Sequence, residues 1–283
     1  MNLRRRFIPV TCWLACAYPA AADEIPEDKT HFNLFHPTPD ADLRSFSTDR
    51  PPKANTPYTL DAGHLQYETD LIVYGHGNTD GIRTDQWTLL DPTLKLGLTN
   101  SIDAELQLTP YQSSSTRGVM GSTSASGLGD TVARLKVNLL GNDKGPVSLA
   151  LLPYIKVPTA PISLGNRAVE GGLIIPIALT APGGFNVVVV PEGDYLKNSP
   201  TGGYHTAFDF LINVSHPLDK RWTLFNELYT AQPLKKGYAR AFTLDEALTC
   251  LLSPSIQLDF GGNFALDSVS PRIELYAGLS QRF

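Results

Sequence analysis

The sequence predicts an all-β protein: a transmembrane antiparallel up-and-down β-barrel of about 12 strands. The closing segment, Arg272–Phe283, alternates apolar and polar residues and ends on an aromatic residue. A period of two over that length is typical of a strand, and roughly 9–11 residues cross a bilayer when the strand is tilted. The same alternation recurs in earlier segments, and the connections between them alternate between long and short. Outer-membrane barrels have long extracellular loops and short periplasmic turns, so this pattern predicts that class.

The amino terminus predicts a secretory signal peptide over Met1–Ala22. Three arginines, Arg4–Arg6, precede a short apolar run, and the small residues Ala20–Ala22 follow it. The apolar run is too short for a membrane-spanning helix and is interrupted by Pro9. Lipid attachment at Cys16 is an alternative, because Leu-Ala-Cys resembles part of a lipoprotein signal.

Cleavage after Ala22 leaves Cys250 as the single cysteine of the mature chain, so no internal disulfide is expected. It also leaves 20 basic and 28 acidic residues, a net charge of −8. An acidic protein is a poor candidate for nucleic-acid binding, which depends on neutralising phosphates. No phosphate-binding loop, nucleophile elbow or metal-spaced His/Cys set is found in the sequence, and we predict neither a cofactor nor a metal site.

Residues 23–62 lack periodicity and are rich in Pro, Asp and Thr, which predicts an irregular periplasmic segment. Its Asp49-Arg50 pair could enter the periplasmic mouth and make the segment a plug; a free tail is the alternative. Residues 63–283 are predicted to form the barrel. The predicted strands are His64–Tyr74, Gln86–Leu98, Ile102–Tyr111, Leu128–Leu140, Val147–Val157, Glu170–Leu179, Phe185–Glu192, Tyr204–His216, Arg221–Gln232, Phe242–Leu252, Ile256–Leu266 and Arg272–Phe283.

Between these strands the predicted connections differ in length. The short turns include Thr99–Ser101 and Ser253–Ser255. The long loops, predicted to be extracellular, are Gly75–Asp85, Gln112–Gly127, Pro158–Val169, Gly193–Gly203 and Pro233–Ala241.

Charge decides which face of each strand points inward, because an Arg or Lys at the bilayer midplane costs about 2–4 kcal/mol. Leu135 and Val137 are therefore predicted to face lipid, as is Val73 in the first strand. The acidic residues are predicted to form one wall of the lumen and the basic ones another; the alternative is that they pair across a narrow interior and close it. The residues predicted to line the pore are Glu68, Asp70, Lys95, Glu105, Arg134, Lys136, Lys156, Asp209, Glu227, Asp259 and Glu274.

Several short motifs resemble a known bacterial family, the outer-membrane transporter family of the phenol meta-degradation pathway type. The resemblance extends from about Phe32 to the end of the chain. It rests on Ser47–Pro51, Pro57–His64, Gly127–Asp130, Glu170–Gly172 and Arg282-Phe283, in this order. Family members usually have an acidic residue where Pro52 stands here. The resemblance implies an outer-membrane barrel and the passage of small compounds, aromatic ones among the candidates, and it implies that Phe283 is read by the barrel-assembly machinery.

We therefore predict an outer-membrane channel whose partners are outer-membrane lipid, the barrel-assembly machinery and small-molecule solutes. A plugged structural or surface-interaction barrel is the first alternative. A lipid-acting barrel enzyme is the second, although His216 lies beside a turn without an evident serine partner. His205 lies near Asp209, and an incidental hydrogen bond explains that pair better than acid–base catalysis. No enzymatic activity is predicted.

Overall fold

The computed structural model describes residues 28–51, 53–198 and 202–283, so the predicted signal peptide lies outside the described residues. Three short 3-10 turns occur at Lys29–His31, Asp40–Asp42 and Pro182–Gly184. The strands are β1 (Leu65–Thr79), β2 (Ile82–Thr99), β3 (Ile102–Gln107), β4 (Tyr111–Gly118), β5 (Gly121–Gly127), β6 (Thr131–Leu140), β7 (Val147–Val157), β8 (Glu170–Ile174), β9 (Ile177–Ala181), β10 (Phe185–Lys197), β11 (Tyr204–Pro217), β12 (Trp222–Pro233), β13 (Ala241–Ser253), β14 (Ile256–Ala265) and β15 (Ile273–Arg282).

These strands form a closed antiparallel barrel of 12 strands, which confirms the predicted fold class. Three barrel strands are each divided in two: β3 with β4, β5 with β6, and β8 with β9. The ring closes because β1 pairs with β15 on one side and with β2 on the other. In the spanning part, closure leaves no exposed edge, as a hydrocarbon environment demands. Outside the closed ring, β5 pairs only with β4. Each of the predicted strands overlaps one barrel strand.

Proline explains one of the divided strands. Between β8 and β9 the chain passes through Ile175 and Pro176, and a proline has no backbone N–H to donate to a ladder. The carbonyl of Pro176 nevertheless accepts from the backbone N–H of Ala150 at 3.1 Å, and the N–H of Ile175 donates to Pro191 at 3.0 Å. The wall therefore stays continuous across the break.

Two predicted loops are wrong. Gly75–Asp85 is occupied by the continuing strands β1 and β2, which turn at Asp80-Gly81, and Gln112–Gly127 is the hairpin of β4 and β5. Asp80 and Gly81 both have positive φ, 51° and 78°, as a two-residue hairpin turn requires. Both faces of these extensions lie in water, so their side chains are polar on both sides. Hydrophobic alternation therefore did not identify them.

The orientation predicted for Val73 is also wrong. A β-bulge between Asp70 and Ile72 inserts one residue and reverses the alternation beyond it. Leu71 and Ile72 are consecutively exposed, at 40% and 41%, and Val73 then lines a cavity inside the barrel. A one-residue shift moves every later side chain of the strand to the other face. A bulge that the sequence analysis does not recognise therefore reverses the predicted facing of those residues.

Elsewhere the faces follow the predicted pattern. Leu135 is 40% exposed on the outside of β6, whereas its neighbour Lys136 is only 1% exposed inside. Phe260 and Asp259 show the same contrast on β14, at 47% and 2%. Among the described residues, no helix has the length and apolar character needed to cross a membrane.

Deleting Phe283 is expected to lower the amount of assembled barrel while export continues. The backbone N–H of Phe283 donates to Leu65 at 2.8 Å, but its side chain is 62% exposed and adds little packing. A large assembly defect would therefore come from lost recognition of the terminal aromatic. The measurement is the heat-modifiable folded band in outer-membrane fractions, with Phe264→Ala, another exposed aromatic, as the control. Normal assembly of the deletion would leave Phe283 as a lipid-facing anchor only.

Candidate functional site in the barrel lumen

A stretch of the amino-terminal region, residues 46–51 and 53–62, runs among the inward-facing side chains of the strands. We call it the lumen segment. The guanidinium of Arg50 donates to Asp259 on β14 at 2.7 Å and forms an ion pair with Asp70 on β1 at 2.7 Å. A Cβ placed on Gly278 would lie 2.1 Å from Arg50 Nη2. Only glycine at this position of β15 therefore leaves room for the guanidinium.

A cluster of two lysines and three carboxylates lies at the centre of the lumen. Lys95 Nζ pairs with Asp49 and, at 2.6 Å, with Glu68. Lys136 Nζ pairs with Asp49 at 2.6 Å and with Glu105 at 3.2 Å. The lysines are only 4% and 1% exposed. A buried charge is strongly destabilising unless it is paired, so the Asp49 carboxylate, shared by both lysines, is the centre of this cluster.

The lumen segment also donates hydrogen bonds to Asp49 from one of its own residues, Thr56. The N–H of Thr56 donates to Asp49 at 2.6 Å, and the Thr56 hydroxyl donates at 2.9 Å. The segment is thus closed on itself between residues 49 and 56. Although burial alone would raise the pKa of Asp49, Lys136 and Lys95 hold that pKa well below its usual range. Asp49 therefore stays ionised at neutral pH.

A second attachment combines backbone donors with a salt bridge. The N–H groups of Lys53 and Ala54 both donate to the Glu227 carboxylate on β12, each at 3.1 Å. The Lys53 ammonium pairs with Asp245 on β13. Two adjacent N–H groups aimed at one carboxylate require a defined backbone conformation, so this part of the segment is fixed in place.

An apolar patch on the opposite wall completes the contact. Ala54, 2% exposed, packs with Tyr58 against inward-facing side chains of β7 to β11. In the sequence, residues Glu170–Glu192 alternate only weakly between apolar and polar. The reason is that both faces of these strands are apolar, one toward lipid and one toward the segment. The inward apolar residues are Ala150, Leu152, Ile174, Ala178, Val188, Val190 and Leu211.

A group of acids and tyrosines borders this patch. The hydroxyl of Tyr154 donates to Asp194, and that of Tyr229 donates to Asp209. Glu192 lies directly opposite Asp209 in the ladder between β10 and β11. Lys53 lies 5.1 Å from the centre of the Tyr229 ring. Aromatic faces and hydrogen-bonding carboxylates therefore lie next to each other on this wall.

Two cavities meet at the lysine cluster. One of about 570 Å³ lies at the end that carries the short turns, with Arg44, Asn142 and Arg282 among its lining residues. The other, of about 320 Å³, lies on the far side, with Arg134 and Glu274 in its wall. Lys95 lines both cavities. The cluster around Lys95 and Asp49 therefore separates two spaces that extend in opposite directions along the lumen.

The predicted site residues all carry polar contacts on the inner side of the strands. Glu68, Lys95, Glu105 and Lys136 form the central cluster; Asp70, Glu227 and Asp259 bind the lumen segment. Lys156 pairs with Asp130 and Glu170, both at 2.8 Å, and Arg134 donates to Gln107 at 2.7 Å. Asp209 accepts from Tyr229, and Glu274 accepts from Asn263 at 2.7 Å.

The basic residues do not form a wall of their own. Lys95, Glu68 and Glu105 lie on the adjacent strands β2, β1 and β3, so acid and base face each other at ion-pair distance. Sequence reasoning also missed Lys53 and Asp245. The alternation of β13 did offer a signal, because Asp245 lies on the face opposite Leu244.

Comparison with known proteins identifies one family and several similar folds. The profile of the family described as "Putative MetA-pathway of phenol degradation" matches residues 48–283. The outer membrane channel of Pseudomonas putida F1 is 15% identical, with 84% of this chain and 100% of that chain covered and a TM-score of 0.55; this likeness shows a shared fold. The NanC porin (8% identical, 76% and 97% covered, TM-score 0.48) and the CymD monoaromatic hydrocarbon channel (8%, 77% and 87%, 0.43) are less similar. Among curated proteins, none matches this sequence.

Replacing Asp49 with Asn is expected to loosen the lumen segment, because two buried lysines lose their shared carboxylate. Breaking a buried charge pair costs about 3–5 kcal/mol. The measurement is maleimide labelling of Ala54→Cys in a Cys250→Ser background, in which residue 54 starts 2% exposed. Labelling should accelerate at least about tenfold, because a loss of about 1.4 kcal/mol in the stability of the bound segment already raises the population of its released form tenfold.

The matched control is Asp40→Asn, which removes an exposed carboxylate of the same amino-terminal region. Equal labelling rates in the two variants would mean that the cluster does not hold the segment.

Proposed function

Because this chain belongs to the family described as "Putative MetA-pathway of phenol degradation", whose profile covers residues 48–283, we propose that it is an outer-membrane channel for small compounds, aromatic ones among them. Solutes cross it passively, down their own gradients, and no enzymatic step is part of the proposal. The outer membrane is the proposed location, since a closed barrel with an apolar exterior needs lipid around it.

The observation that carries the proposal is the pair of lumen cavities that meet at Lys95. A purely structural barrel has no need for cavities that extend along its axis from both sides of one cluster. The tyrosines Tyr154 and Tyr229, with the apolar patch beside them, offer an aromatic solute a surface to pack on. The neighbouring carboxylates can accept a hydrogen bond from a hydroxyl of the solute.

The lumen segment is proposed to act as a partial plug. It occupies the space between the lysine cluster and the apolar patch, and its ion pairs to Asp259, Asp245 and Lys136 hold it there. Passage then requires either the remaining side space or a shift of the segment. The dense charge pairing also favours a second candidate function, a permanently plugged structural barrel. Single-channel recording separates the two.

Purified protein in planar bilayers is expected to conduct in small steps, and removal of residues 28–62 is expected to enlarge the steps several-fold, because the central cluster loses Asp49 and its blocking contacts. The control is a chain that retains the segment but carries Asp40→Asn. Absence of conductance in both forms would favour the structural barrel, and equal conductance in both would remove the plug from the proposal.

Changing Arg134 and Lys136 together to Gln is expected to make the pore more cation-selective, because two positive charges leave a low-dielectric passage lined by carboxylates. The measurement is the reversal potential across a salt gradient, with Lys220→Gln in an exposed turn as the control. An unchanged reversal potential, with folding intact, would contradict a passage that runs past these two residues.

A further inference from the structure

The barrel continues above its membrane-spanning part as a sheet of four strands, β1, β2, β4 and β5. Its outer face is the upward continuation of the lipid-facing surface. The strand register places the side chains of this face in rows that run across the strands. Tyr74 lies opposite Trp87, and four residues further from the barrel centre Arg83 lies directly opposite Arg117.

The lower row is aromatic. The rings of Tyr74 and Trp87 are 4.5 Å apart, and Tyr111 lies one row below, beside Leu89. Trp87 and Tyr111 are 42% and 41% exposed on the outside of the barrel. Exposed Trp and Tyr rings at the end of an apolar band mark the boundary between hydrocarbon and headgroups. This row therefore fixes the height of the outer leaflet on the protein.

The upper row concentrates positive charge. Like charges directly opposite each other in a ladder are destabilising, so an anion bound between Arg83 and Arg117 would relieve their repulsion. Asp85 supplies part of the compensating negative charge, because its Oδ2 lies 3.4 Å from Arg83 Nε. Its other oxygen, Oδ1, is hydrogen-bonded to Tyr74 and His76. Arg117 makes no ion pair with any of the described residues.

The surface between the two rows is concave and rich in hydroxyl groups. A depression of about 580 Å³ is bounded by the aromatic row below and by the two arginines above. Its floor is formed by β4 and β5, and the serines on the same face as Arg117 are Ser113, Ser115, Ser124 and Ser126. Guanidinium groups with several O–H donors beside them are the usual means of binding a phosphate.

We propose that this depression binds a phosphate of an outer-leaflet glycolipid of the lipid A type, with Arg83 and Arg117 on the phosphate and Trp87 beside the acyl chains. Four residues span about 13 Å along a strand, and less along the membrane normal because barrel strands are tilted. The arginines thus reach the headgroup layer when the aromatic row lies at its base. The inference depends on the outer-membrane location and not on conduction.

The test titrates bisphosphorylated lipid A into detergent-purified protein carrying Trp222→Phe, so that Trp87 remains the only tryptophan of the chain after the predicted signal peptide. Trp87 fluorescence should change saturably. Arg83→Gln with Arg117→Gln should weaken binding at least about tenfold, since two charge-assisted contacts are lost. Lipid A without its phosphates should bind the unaltered arginine pair as weakly as the bisphosphorylated form binds the double variant.

Arg272→Gln, an exposed arginine at the same end of the barrel, is the control and should bind like the parent protein. Folding of each variant is checked by heat-modifiability, and Arg117→Gln alone should give an intermediate affinity. Equal lipid affinity in the double variant would overturn the proposal. So would saturation by inorganic phosphate alone, with no gain from the acyl chains, because the site would then take a free ion. A protein that binds lipid A but does not conduct would contradict the proposed channel function and would still support this inference.

Discussion

The absence of water in the hydrocarbon core is the constraint on which the rest of this structure depends. Each backbone N–H and C=O in the spanning part must find a partner within the protein, and a sheet achieves that only by closing. Here closure is made by β1, which pairs with both β15 and β2. A closed sheet then has one face in lipid and one enclosed, so charge is excluded from the first and collected on the second.

Charge collected in a narrow interior creates a second requirement, since carboxylates and ammonium groups removed from water must be paired. The wall alone pairs part of its charges, as Lys156 does with Asp130 and Glu170. The lumen segment supplies further partners: Asp49 for two wall lysines, and Arg50 for two wall aspartates. Burying such ion pairs costs desolvation, so they add little net stability, but removing one partner is strongly destabilising. They explain how an irregular segment is held in one place, and they connect its position to the charge in the proposed passage.

The outer surface follows the same exclusion of charge from hydrocarbon, and its composition changes with distance from the membrane. Between the membrane interfaces it is apolar, and above them strands can continue in water with polar residues on both faces. The hairpins of β1–β2 and β4–β5 do so, and they carry the arginine pair away from lipid hydrocarbon to the level of headgroups. One continuous set of strands therefore has three environments, which are lumen, lipid and the aqueous layer beyond.

The sequence by itself determined the fold class, the number of barrel strands and the facing of most side chains, because lipid on one side and charge on the other impose a period of two that single residues can report. It could not determine where that period breaks, because the bulge that turns Val73 inward depends on backbone pairing with neighbouring strands. The hairpin at Asp80-Gly81 did have a sequence signal, since Asp-Gly favours a two-residue turn, but the alternation of apolar residues does not reach it. It named many of the inward charges, although not Asp245, and it did not name their partners. Whether Lys95 faces Glu68 or stands apart from it is decided by strand adjacency and by the path of the lumen segment, and only the tertiary structure contains both.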